Sequence, residues 1–257
     1  MKLIYKPSAV AFLDVLGFKK LVNDDIKPEI EHLANLLEKS PIHLDEPNKI
    51  NLPKDLYKNI VPKYTQISDC IIYSSKLKVN ASSKDYYGLV IVGLRSIQIA
   101  QTLLLAKYPI RGGIEIGDVH HTQKTIIGKP YQEAYRLESI DADHPRIILG
   151  NNAADHWIYK VPEHFKDTNH PIFIYYRGFY TVNIINAWYF RNDSNYSEDD
   201  YLDTYLKNFQ TIIEGKILEN QNNPKHVEKW IWLYDFLIHS ASKQGVIINR
   251  NTFQSII

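Results

Sequence analysis

Residues 10–15, Val-Ala-Phe-Leu-Asp-Val, form an apolar run too short for a helix and broken by one acid, which predicts a buried strand. Gly17 then turns the chain into a short helix around Phe18–Val22. Apolar positions at Ile30, Leu33, Leu36 and Leu37 carry helical spacing over 26–39, and the polar, proline-bearing stretch 40–56 reads as a loop. Lys63–Ile67 and Cys70–Ser75 are strand-like on either side of a tight Ser68-Asp69 turn, with a second loop over Lys76–Asp85. The long apolar stretch 87–107 carries Arg95, Gln98 and Gln101 three residues apart, which predicts an amphipathic helix with a polar stripe rather than a membrane span.

Ile110–Asp118 reads as a strand, Thr122–Ile127 as a short hairpin or loop, and Pro130–Ser139 as a helix opened by proline, where a missing N–H costs nothing. Arg146–Leu149 is a strand, Asn151–Tyr159 a short helix, and 172–190 holds two aromatic strand-like runs around Gly178. Residues of about 200–219 and 224–241 are helical. The order β-α-β-β-α-β-α-β predicts one α/β domain over residues 1–190, with 191–257 as a helical extension packed on the same domain.

A chain of 257 residues can bury a sizeable core. Lysine and arginine (30) nearly balance aspartate and glutamate (29), so no global field draws the chain to nucleic acid or an anionic membrane. The lone Cys70 excludes an intrachain disulfide and reads as a small buried thiol; with no signal-peptide core at the N-terminus, the expected location is cytoplasmic.

Chemistry concentrates in two acids about 55 residues apart, each beside strand-forming residues: Asp14 in A-F-L-D-V-L-G-F-K and Asp69 in I-S-D-C-I-I-Y-S. Carboxylates at neighbouring strand ends can hold two divalent ions about 3.5–4 Å apart, which clamp the attacking and leaving oxygens of a phosphoryl transfer. Taken singly, each acid reads first as a turn or capping residue; inside apolar strands, both are costly to bury unpaired, and together they favour metal. Gly17 after Asp14 exposes backbone N–H groups that suit a phosphate. Gln132 and Arg136, four apart, share a helix face where a guanidinium fork suits phosphate charge and an amide suits a ribose hydroxyl; the plain alternative is an exposed face with Arg136 paired to Glu133. Arg111 either reads a base edge or lies at the surface. His120 and His121, adjacent on a strand, point to opposite faces and do not share an ion. No glycine-rich nucleotide-binding motif, zinc-protease motif or hydrolase nucleophile elbow is present.

Four segments together resemble the class III nucleotidyl cyclases. Phe12-Leu13-Asp14-Val15-Leu16-Gly17-Phe18 is similar to the family's F-x-D-I-x-G-F, and Ser68-Asp69 to its second metal-binding turn. Gly113-Ile114-Glu115-Ile116-Gly117 resembles its G-I-x-x-G strand, and Gly128–Arg136 its G-x-x-V-N-x-A-x-R helix. The likeness covers roughly residues 8–150. It implies a ferredoxin-like core with a mixed, largely antiparallel sheet flanked by helices. It also implies two Mg or Mn ions on Asp14, the Val15 carbonyl and Asp69, and phosphates seated by backbone N–H groups of Leu16, Gly17 and Phe18. In a homodimer, Arg136 and Gln132 would reach the site from the opposite protomer.

Three positions depart from the family. Gln132 replaces an Asn, Thr65 stands where purine cyclases carry Lys or Glu, and Thr125 stands where adenylyl cyclases carry Asp. A pocket lacking both polar partners discriminates poorly for a purine. With these changes, the chain most resembles the pyrimidine cyclases of the bacterial Pycsar antiphage system. The resemblance implies conversion of UTP or CTP to cyclic UMP or cyclic CMP, with uridylate cyclase favoured and a separate effector protein activated by the product. Thr65, Arg111 and Thr125 are the base-reading candidates. A purine cyclase and a non-catalytic nucleotide-binding module are the alternatives.

Overall fold

The computed structural model describes residues 2–43, 63–78, 84–166, 171–186 and 198–249. Strand β1 (Lys6–Val15) leads into helices α1 (Phe18–Asn23) and α2 (Lys27–His43), then the hairpin β2 (Lys63–Ile67) and β3 (Cys70–Lys76). Helix α3 (Tyr87–Leu105) and strand β4 (Ile110–His121) complete a βαββαβ unit. Its strands lie in the order β2-β3-β1-β4 and every pair is antiparallel. This is the ferredoxin-like arrangement. The two-residue β5 (Ile126–Ile127) folds back on His120 and His121.

Helix α4 (Lys129–Arg136) runs straight into a single π turn, Leu137–Asp141. Strand β6 (Ile147–Leu149) then joins β4 in the sheet's one parallel pair among the described residues. Helix α5 (Asn151–Lys160) follows, and β7 (Phe173–Tyr176) with β8 (Phe179–Val182) extends the sheet past β6. Helices α6 (Glu198–Glu219) and α7 (Pro224–Lys243) close the described chain. The observed class is thus the expected mixed, largely antiparallel sheet flanked by helices.

The alternation of β1 explains its position. Ala9, Ala11, Leu13 and Val15 face a large core shared with α3 and with the C-terminal helices, through Leu206, Phe209, Leu233 and Phe236. Val10 and Phe12 face the opposite way, under α4, with Ile72, Val119 and Ala134. A strand covered on both faces has no polar side, so its sequence is a near-continuous apolar run. Asp14 belongs to the α4 face by the same alternation.

The α4 face is held close by Gly113. A Cβ there would lie 2.4 Å from the Ala134 carbonyl oxygen and 2.6 Å from Leu137 Cβ. Gly113→Ala is therefore expected to destabilise the fold by about 1–3 kcal/mol and to lower the melting temperature by several degrees. An unchanged thermal transition would show that α4 does not press on this strand.

Several boundaries shift from the pattern-based expectation. β1 starts at Lys6 rather than Val10, and β4 runs on to His121 because β5 pairs with its end. α2 continues to His43, into the segment expected to be loop; positions 44–56 lie outside the described residues. Pro130 occupies the second helical position of α4, after Lys129. The polar stripe of α3 is a correction: Arg95, Gln98 and Gln101 are 4%, 5% and 0% exposed, not solvent-facing. Arg95 donates to Gln98 Oε1 at 3.3 Å and Gln101 to the Asn186 carbonyl at 2.5 Å, so the stripe bonds internally beneath the segment after β8. α3 is the one described helix long and apolar enough to cross a membrane, and it lies buried in the core of the fold.

Candidate active site

Asp14 sits next to the end of β1, directly opposite Cys70 in β3 on one side and Arg111 in β4 on the other. Asp69 occupies the β2–β3 turn, where Ser68 takes a left-handed φ of 57° to make the reversal tight. The turn carries the second acid to the first. Oxygens of Asp14 and Asp69 and the Cys70 sulfur lie within 4.8 Å of one another. Burial and the neighbouring Glu138 raise the Asp14 pKa, with Arg111 opposing them. Burial and Asp14 itself raise that of Asp69. Two half-buried carboxylates forced together in this way suit a hard divalent cation, which takes oxygen ligands and offsets their mutual repulsion. Cys70 donates to Asp14 Oδ1 at 3.5 Å, and burial followed by Asp14 pushes its thiol far up, which favours the protonated form.

Arg111 bridges Asp14 and a third acid. Its Nε lies 3.4 Å from Asp14 Oδ2 and 2.7 Å from Glu138 Oε1. Glu138 is buried and projects from the π turn after α4, a single-turn irregularity of a kind that often marks functional sites. Nothing in the local pattern separates Glu138 from the solvent-facing Glu133, so its meeting with Arg111 was not legible in the sequence.

Val15 closes β1 opposite Ile110, and Leu16, Gly17 and Phe18 make the turn into α1. Gly17 has φ 94°, a left-handed conformation that favours glycine. The Leu16 N–H is donated to the Pro109 carbonyl at 2.9 Å, so that amide is already engaged.

Thr65 lies on the Asp14 face of the sheet, where its hydroxyl is 3.0 Å from His121 Nε2. Ser74 Oγ meets the other ring nitrogen at 2.7 Å. Burial, then Lys63, depresses the His121 pKa to about 4, leaving a neutral ring that orients both hydroxyls. His120 turns the other way to the Ile4 backbone, as alternation requires. Thr125 is further off, in the β4–β5 turn, where it exchanges bonds with Thr122.

Gln132 and Arg136 are not brought to the Asp14–Asp69 cluster. They line a separate cavity of about 970 Å³ with Glu115, Asp118 and Asn152, and neither Asp14, Asp69 nor Arg111 is in its wall. Arg136 is 43% exposed at its side chain and pairs with Glu133 at 2.8 Å and Asp141 at 2.9 Å.

The sequence matches no protein-family model and no curated protein. Among solved structures, a bacterial light-regulated adenylyl cyclase is similar at 11% identity over 81% of this chain, with a TM-score of 0.44. A second structure described in the same way is similar at 14% identity over 82% of this chain, also with a TM-score of 0.44. In both, the chain spans 59% of the length of the protein it matches.

Proposed function

We propose that this chain is a nucleotidyl cyclase acting on a pyrimidine nucleoside triphosphate, UTP in preference to CTP. The observation that carries the reading is the convergence of the Asp14 and Asp69 carboxylates, from different elements, beside the Gly17 turn. In this reaction the ribose 3′-hydroxyl loses its proton to solvent, its oxygen forms a bond to the α-phosphorus, the bond from that phosphorus to the β-phosphate bridging oxygen breaks, and pyrophosphate leaves. Asp14, Asp69 and the Val15 carbonyl would hold two divalent ions. When bound, such ions make the hydroxyl a better nucleophile and offset charge on the leaving group.

The chain's own groups divide the remaining work. Backbone N–H groups of Gly17 and Phe18 would orient the phosphates, the Leu16 amide being already taken by the Pro109 carbonyl. Arg111, poised between Asp14 and Glu138, supplies a cation at the edge of the site. Gln132 and Arg136 would act on the nucleotide bound to a second copy, since in their own chain they line a different cavity. A site divided between two copies explains why one chain holds metal-binding acids and phosphate-binding arginine apart.

The pyrimidine assignment rests on Thr65 and Thr125, neutral hydroxyls where purine cyclases carry Lys or Glu and where adenylyl cyclases carry Asp, with Thr65 oriented by neutral His121. The fold itself leaves ATP and GTP equally open. Incubating the full chain with each of the four triphosphates and Mn²⁺ tests both levels. Cyclic UMP, with less cyclic CMP, is the expected product. A dominant purine product would overturn the base assignment, and no cyclic product from any of the four would overturn the enzyme. A signalling role, with the product activating a separate effector, follows only if a cyclic nucleotide is made.

A further inference from the structure

A second cavity, about 520 Å³, opens beside the Gly17 turn and is roofed by the C-terminal helices, for which the sequence offered no role. Its wall holds four lysines, Lys20, Lys107, Lys216 and Lys229, against two acids, Asp24 and Glu29. Leu16 and Gly17 form its floor, two and three residues beyond Asp14. Lys216 comes from α6 and Lys229 from α7, so two helices distant in sequence from the turn deliver cations to one place.

Lys216 is already held by Glu219 on its own helix, which leaves Lys229 as the chief cation of the roof. Burial and then Arg111 lower the Lys229 pKa, while Asp14 acts in the opposite sense, so the ammonium lies within electrostatic reach of the acidic site. Burial, then Lys20 and Lys229, lower that of His226, another wall residue. A half-buried ammonium at Lys229, with Lys20 and His226 within electrostatic reach, forms a site a polyanion would stabilise, because it restores the solvation that ammonium has lost.

We propose that this cavity is a polyphosphate site in which α6 and α7 supply lysines, chiefly Lys229, to the terminal phosphates of a nucleoside triphosphate. The nature of the ligand rests on the nucleotidyl cyclase reading; the cation-lined cavity does not. The C-terminal helices are then part of the substrate site in the same chain, and the leaving pyrophosphate departs past them.

Titration calorimetry of the full chain with inorganic tripolyphosphate, in EDTA so that no divalent ion bridges the Asp14–Asp69 cluster, tests the site without turnover. The wild-type chain is expected to bind, Lys229→Gln and Lys20→Gln to weaken binding by about tenfold each, and Lys229→Arg to restore most of it. Circular dichroism melting of each variant separates lost binding from lost folding. In nucleotide assays, Lys229→Gln raises KM more than it lowers kcat. Tripolyphosphate binding lost in Lys229→Gln, in a chain that cyclises no nucleotide, would sink the cyclase reading and leave the site standing. Cyclisation with tripolyphosphate affinity and KM unchanged by Lys229→Gln would sink the site and leave the cyclase standing. A wild-type chain that binds no tripolyphosphate also overturns the site.

Discussion

Replacing Asp69 by asparagine is expected to lower Mn²⁺-dependent cyclisation by about a thousandfold or more, because losing a metal-holding carboxylate removes several kcal/mol of transition-state stabilisation. The same change should leave the metal-free fold as stable as the wild type, or more so. The folded-state pKa values of Asp14 and Asp69 are both raised, by burial first and then by acidic neighbours. The native state therefore holds more protons than the unfolded chain in the carboxylate range, and stability is lost as pH rises through the folded pKa values. At neutral pH the ionised pair opposes folding. The Asp69→Asn change would remove that mutual repulsion at nearly constant shape.

A bound divalent ion should reverse the sign. At a hundred times its dissociation constant it adds about 2.7 kcal/mol, which for a chain of this size raises the melting temperature by about 5–10 °C. The wild type should show this shift at pH 7 and Asp69→Asn should not. Equal shifts in both proteins would place the ion elsewhere, and cyclisation surviving in Asp69→Asn would remove the acid pair from the chemistry.

Much of this geometry is local enough to be legible in the chain. The hairpin was marked by strand-like segments on both sides of the Ser68-Asp69 turn, and the burial of β1 by an apolar run interrupted only by Asp14. Alternation alone places Asp14 and Cys70 on the same face as Phe12 and Ile72. What escaped depends on tertiary pairing. The polar stripe of α3 has the spacing of a solvent-facing stripe, yet Gln101 finds its partner at Asn186. Glu138 gains meaning only because Arg111 lies across the sheet from it, and His121 only because Thr65 and Ser74 close on its ring. The lysines of α6 and α7 look like ordinary surface charge until both helices pack over the Gly17 turn. Periodicity reports the face a residue occupies, whereas sites are made where faces of distant elements meet.

The division of the proposed site between two copies gives the second large expected effect. Arg136→Ala should reduce kcat by about a hundredfold, the cost of one preorganised donor aimed at developing charge, with little change in melting temperature. Thermal stability should hold because the guanidinium is 43% exposed and its partners Glu133 and Asp141 remain solvated. Complementation then separates a shared site from a self-contained one. A dimer of Asp69→Asn with Arg136→Ala has one site with both defects and one with neither. Random exchange of equal amounts makes half the dimers mixed, so roughly a quarter of wild-type activity should return from two nearly inactive proteins. If each chain carried a complete site, every site in the mixture would keep one defect and activity would stay at the mean of the parents. Recovery on mixing would thus assign Arg136 to the partner's nucleotide. Failure to recover, with subunit exchange verified by differently tagged copies, would return the arginine to the helix-surface ion pairs it makes with Glu133 and Asp141.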